Sequence, residues 1–142
     1  MRLIISSVVA LLCCGCAGEK SEAEIMRYVF SSLREFSRGD ACEVLKAMTA
    51  LYEKCEWESK KADFSDYARE IVLLDIATRV WIAAESCGDK IVEEEYRLKS
   101  LEWLRSADVL DPESSDEDYE HALNARRSQI LRDESPAWYG SR

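Results

Sequence analysis

Only two prolines and five glycines interrupt the 142 residues of this chain. That scarcity leaves too few turn formers for an all-β fold and suits long helices. Histidine is rarer still: His121 is the single one, it stands beside Glu120 in a polar stretch, and no nucleophile is assigned to it. A Gly-x-Gly-x-x-Gly loop, a P-loop, a Gly-x-Ser-x-Gly elbow and a His-Glu-x-x-His pair are all missing, so the common signatures of cofactor binding and hydrolysis are absent. No enzymatic activity and no cofactor are expected. Positive charge is also short, with 19 Lys and Arg against 28 Asp and Glu and a net charge of -9. A chain so acidic argues against nucleic acid, whose phosphates attract Lys and Arg, and against an electrostatic grip on anionic lipid. The apolar run from Leu3 to Leu12 falls far short of the ~20 residues that a spanning helix requires.

What is present reads as one helical domain. The chain is 47% hydrophobic and 33% charged, a globular composition. Ser21-Glu-Ala-Glu24 has the form of a capping box, and Ile25, Val29, Leu33 and Phe36 follow at helical spacing up to Gly39. Asp40 to Glu43 repeats the start signal ahead of Val44, Met48, Leu51 and Cys55. A third helix is expected from Asp63–Asp66 to Cys87, closed by Gly88 and apolar nearly all round, as a helix surrounded by others is. Within it Asp75 and Arg79 stand at i,i+4 spacing and are expected to pair on the helix surface, with a buried functional ion pair as the alternative. Asp89 caps a fourth helix carrying Val92, Tyr96, Trp103, Ala107 and Leu110, expected to run to Asp111-Pro112. The acids from Glu113 to Glu120 open a fifth, with Tyr119, Leu123 and Ile130 inward. Arg126, Arg127 and Arg132 near its end complement the helix dipole. The acidic run is not a calcium loop. Counted from Asp111, the sixth and twelfth positions hold Asp116 and Ala122 in place of the Gly and Glu that an EF-hand loop requires.

The start of the chain has another character. Arg2 precedes the apolar run, which ends in Leu12-Cys13-Cys14-Gly15-Cys16, followed by Ala17-Gly18 and the polar Glu19-Lys20. A charged n-region and a short apolar h-region make a secretory signal. The stretch up to Cys16 resembles the lipobox of bacterial lipoprotein precursors, with Cys13 standing where that family usually carries an aliphatic residue. The resemblance implies that Cys16 is acylated and becomes the new N-terminus. It also implies attachment through membrane lipid, in the bacterial cell envelope. Ala17 follows the acceptor where an Asp can signal retention at the inner membrane, so the outer membrane is implied, with the domain facing the periplasm or the exterior. Ordinary signal-peptidase cleavage nearby and an uncleaved anchor are the alternatives. The expected organisation is a signal peptide over 1–15, a lipidated tether over 16–21, an all-α bundle or set of stacked hairpins of about five helices over 22–132, and a C-terminal tail over 133–142.

The domain then keeps Cys42, Cys55 and Cys87. Cys42 and Cys55 lie thirteen residues apart on one expected helix, roughly 20 Å at 1.5 Å per residue and beyond the reach of a disulfide. Cys42 begins the second helix and Cys87 ends the third, ends that an antiparallel hairpin brings together. Two readings stay open: a Cys42–Cys87 bond, or three buried thiols acting as small apolar side chains. No Cys-x₂₋₄-Cys knuckle accompanies His121, so no metal is expected.

From Ala84 to Pro112 the spacing of Gly88, Ser100, Leu104, Ala107 and Pro112 resembles a tetratricopeptide repeat. Ala84, Cys87 and Ile91 stand at that family's other signature positions. The resemblance implies stacked helical hairpins of a kind used to bind peptides and proteins. The functional expectation is a membrane-anchored envelope lipoprotein whose acidic helical domain binds another envelope protein, as an adaptor or in assembly. Trp57, Trp138 and Tyr139 are the expected contacts, since Trp and Tyr are favoured at interfaces, and docking of the tail onto its own core is the other use for the last two. The alternative function is a small-ligand-binding or toxin-inhibiting, immunity-type lipoprotein.

Overall fold

The computed structural model describes residues 21–62 and 64–140, so the signal peptide, Cys16 and the tether up to Lys20 lie outside the described residues. Among the described residues the chain is an all-α bundle of five helices. They are α1 Glu22–Leu33, α2 Ala41–Lys61, α3 Asp66–Cys87, α4 Lys90–Ser106 and α5 Asp116–Glu134, with a 3₁₀ turn over Arg34–Ser37. No helix among them is long and apolar enough to cross a membrane.

Each helix begins at a residue able to cap it. Ser21, Asp40 and Ser115 form capping boxes with Glu24, Glu43 and Asp118, while Ser65 and Asp89 accept from Ala68 and Val92. These bonds satisfy backbone donors that the first turn leaves open. Gly88 ends α3 at φ 85°, donating to the Ala84 carbonyl at 2.9 Å, a left-handed stop that glycine adopts without strain.

α3 is the axis of the bundle. From Val72 to Ala84 only Asp75 is not buried, because α2 and α4 cover it on two sides and α5 touches a third. α2 contributes Val44, Met48, Leu51, Tyr52 and Cys55 to this core, α4 contributes Tyr96, Leu101 and Leu104, and α5 contributes Leu123 and Ile130. The buried hydroxyls of Ser59, Thr78 and Ser100 are bonded where they stand. Thr78 and Ser100 each donate to the carbonyl four residues back at 2.7 Å, as buried hydroxyls in helices do.

Three boundaries differ from the sequence expectation. α1 stops at Leu33 and tightens into the 3₁₀ turn. The tighter turn carries Phe36 wholly into the core and leaves Gly39 at φ 80° to reverse the chain. α4 ends at Ser106, not Asp111, with Asp108 at φ 52°, and Leu110 stays only half-buried. α5 continues to Glu134, so the tail begins at Ser135. The stretch 84–112 does not make a hairpin by itself; it holds the last residues of α3, the turn at Gly88-Asp89, all of α4 and the loop after it.

α2 ends at Lys61 and α3 begins at Asp66, so the hairpin sets position 42 opposite about 85, two residues from Cys87. Cys42 and Cys87 are joined in a disulfide with Cα atoms 5.0 Å apart, while Cys55 is a buried free thiol. The bond closes a loop of 45 residues. Removing it in a Cys42→Ser/Cys87→Ser protein lowers the free energy of unfolding by about 4 kcal/mol on loop-closure entropy. Urea titration of the two proteins measures that difference, and unchanged midpoints contradict it.

Candidate functional site

The densest polar chemistry lies where α3 meets α5. Sequence reasoning places Arg79 on a helix surface with Asp75, but its residue is only 7% exposed. The reason is that α5 and the 3₁₀ turn close over it. Its Nη1 reaches the Asp75 carboxylate and carbonyl, and its Nε and Nη2 donate to Glu134 at the end of α5. The guanidinium lies 5.5 Å from the centre of the Phe36 ring. Asp75 also accepts from Arg126 Nη2 at 2.8 Å, so one carboxylate of α3 serves two guanidiniums. An isolated buried charge would cost several kcal/mol, and pairing on two sides is what permits it. No pattern within α3 itself names Glu134 as the partner, because it arrives from 55 residues away.

One helical turn further along, Arg127 is held between the Trp81 and Tyr139 rings, 5.3 and 5.7 Å from their centres. It donates to the Glu85 carboxylate and, at 2.9 Å, to the Tyr139 hydroxyl. Burial works against its charge, yet the bonds to Glu85 and Tyr139 prevail and raise its pKa. The C-terminal tail is fastened here. Pro136 is buried, and Trp138 packs edge-on against Phe36 at 5.2 Å and donates its indole N–H to the Phe36 carbonyl at 2.8 Å. Trp138 is thereby docked on its own chain, the other use that the sequence leaves open, while Tyr139, bonded to Arg127, is still 37% exposed. Trp57, at the other end of the bundle, is 60% exposed.

A cleft of about 180 Å³ opens beside Asp75, Arg79, Arg126 and Glu134, and one of about 140 Å³ beside Glu85, Trp138 and Tyr139. Both are well below the ~300 Å³ at which small-molecule pockets usually start. In the larger one Asp75 and Glu134 are already bonded to guanidiniums, and no Ser, Cys or His lines it. His121 lies exposed on α5, away from these groups. Among the described residues no group of three His, Cys, Asp or Glu is placed to hold a metal ion. The acids of 111–118 serve the start of α5: Ser115 donates to Asp118 and lowers its pKa, and Asp116 accepts from Arg105 at 2.8 Å.

A second buried polar cluster joins α2 to α4. Trp103 Nε1 donates to the Tyr52 hydroxyl at 2.8 Å, and the Tyr52 and Tyr96 rings meet edge to face at 5.2 Å. Lys99 lies 4.4 Å over Tyr96. On the same stretch of α2, Cys55 is buried. Compared with known protein families, curated proteins and solved structures, the chain matches none.

The Tyr52 cluster sets an alkaline limit on the fold. Burial raises the Cys55 thiol from 9.0 to about 11. It raises Tyr52 from 10.0 to about 12, opposed in part by the Trp103 hydrogen bond, and it raises Tyr96 as well. Between these values the folded chain keeps protons that the unfolded chain has lost. Stability is therefore full below pH 9 and falls as pH climbs from 9 towards 12. Tyr52→Phe leaves the Trp103 N–H unpaired and costs about 1–2 kcal/mol at pH 7. That penalty shrinks as pH rises from 10 to about 12, because the phenol that resists ionisation is gone. Urea midpoints of both proteins at pH 7 and pH 11 measure this, and a penalty that stays constant contradicts it.

Proposed function

We propose that this chain is a bacterial envelope lipoprotein, held to the membrane by acylated Cys16, whose acidic helical domain binds another envelope protein. The observation that carries the anchoring is the order of residues at the start: Arg2, an apolar run, Gly15-Cys16 and an immediate change to polar chain. Two or more acyl chains give stable attachment where one does not, so the anchor needs no spanning helix. The outer membrane is the proposed site, on the strength of Ala17. Labelling growing cells with an alkyne fatty acid tests the acceptor. Label on the wild-type chain and none on Cys16→Ala is expected, and label that survives the substitution refutes it.

For binding, the support is a pair of apolar side chains that the bundle does not use, with the exposed Glu94 and Glu95 between them. Ile91 and Leu98, seven residues apart on one side of α4, are 82% and 47% exposed. The spacing i,i+7 sets two side chains in line along a helix, a pattern that favours a protein surface. The small clefts give the ligand-binding form of the alternative no such support. Capture from detergent-solubilised envelopes tests the reading. An Ile91→Glu/Leu98→Glu protein recovers on the order of tenfold less of the specific partner, while its urea midpoint stays close to wild type because both positions face water. Equal recovery by the two proteins, or recovery of no specific partner by the wild type, counts against it.

A further inference from the structure

The position of the first helix identifies which end of the bundle the anchor holds. The Ser65 N–H donates to the Glu22 carboxylate at 3.4 Å, which brings the start of α1 against the turn between α2 and α3. Gly88, the Cys42–Cys87 disulfide and Ile91 lie at the other end of α3, a helix of 22 residues and so about 33 Å long. Five peptide steps separate Cys16 from Ser21, a reach of at most about 18 Å. A cysteine acylated in the bilayer would keep the α2–α3 turn within that distance of the headgroups and leave the Ile91 end outside it.

At this near end two large aromatics are turned out to solvent. Trp57 is one helical turn before the end of α2 and Tyr67 is the second residue of α3, and they are 60% and 65% exposed. Lys61 lies 4.1 Å over the Trp57 ring, with Lys60 beside it in the last turn of α2. Trp and Tyr settle at the membrane interface, where one part of the ring is apolar and the other meets water. Lysine can lay its stem along the apolar zone and keep its ammonium in the headgroups. Glu22, Glu56 and Asp66 share this end, so its charge does not select an anionic surface.

We infer that Trp57 and Tyr67 seat the α2–α3 end of the domain in the zwitterionic headgroup layer of the membrane that holds Cys16. This rests on the lipoprotein reading and assigns Trp57 to lipid and not to a protein partner. The domain then stands upright, with α3 rising from the surface and Ile91 and Leu98 of α4 presented away from the tether.

Full-length chain expressed in bacteria and purified from their membranes is reconstituted into phosphatidylcholine vesicles, with and without bromine on the acyl carbons near the headgroup. Intact mass and flotation report acylation and anchoring. Tryptophan emission reports contact with lipid. The expected result is acyl mass, flotation, and a quenching by brominated lipid equal to one tryptophan's share of the four. That quenching is lost in Trp57→Phe and reduced in Tyr67→Ala, both with unchanged helical circular dichroism. A chain that carries acyl mass and floats, yet shows no quenching that depends on Trp57, overturns the seating alone. A chain without acyl mass overturns the lipoprotein reading and the seating with it.

Discussion

Arg79 stands in the middle of a helix that has almost no side facing water, and the placement of α5 along α3 follows from that one charge. A guanidinium enclosed in apolar surroundings requires carboxylates within bonding distance. Asp75, one turn earlier, supplies one on the same helix, and Glu134 supplies the other from the end of α5. The demand for Glu134 sets the height at which α5 lies along α3. At that height Arg126 meets Asp75, Arg127 meets Glu85 between two aromatic rings, and Trp138 closes on Phe36. α5 buries little apolar surface of its own, chiefly Leu123 and Ile130, so this ionic seam and the tail decide where it sits.

The other helices are ordered by apolar burial and by one covalent bond. α2 and α4 clasp α3 with continuous apolar faces, and the Tyr52–Trp103–Tyr96 cluster joins the two clasping helices through a hydrogen bond and an edge-to-face contact. The Cys42–Cys87 disulfide ties the start of α2 to the end of α3, next to the glycine that turns the chain into α4. Polar chemistry is thus used for positioning: of the carboxylates beside the larger cleft, Asp75 and Glu134 are engaged by arginine. The surfaces left over are at the two ends of the bundle and along α4. In the proposed reading the α2–α3 end would meet lipid and the exposed side of α4 a protein partner.

Much of this architecture could be read from residues near one another in the chain. Ser21, Asp40 and Asp89 announced the starts of α1, α2 and α4, because a cap and its N–H lie within three residues. Gly88 announced the end of α3 for the same reason. Val44, Met48, Leu51 and Cys55 showed the buried face of α2 through their spacing. The ends of α1 and α4 were not legible. Phe36 continues the helical spacing of α1, but the core draws it in by tightening the turn, and Leu110 continues α4 in pattern while the chain departs at Ala107.

The sequence by itself determined the class of fold, the helix starts, an acidic surface and the apolar, cysteine-bearing segment on which the anchoring proposal rests. All of these depend on composition or on interactions spanning a few residues. Only the tertiary structure decided that Arg79 is buried, that Trp138 packs against its own core while Trp57 faces outward, and which end of the bundle lies beside the first helix. Those outcomes turn on partners 43 to 102 residues apart, such as Ser65 with Glu22 and Trp138 with Phe36. Spacing along a chain carries no record of which distant groups a fold will bring within 4 Å of each other.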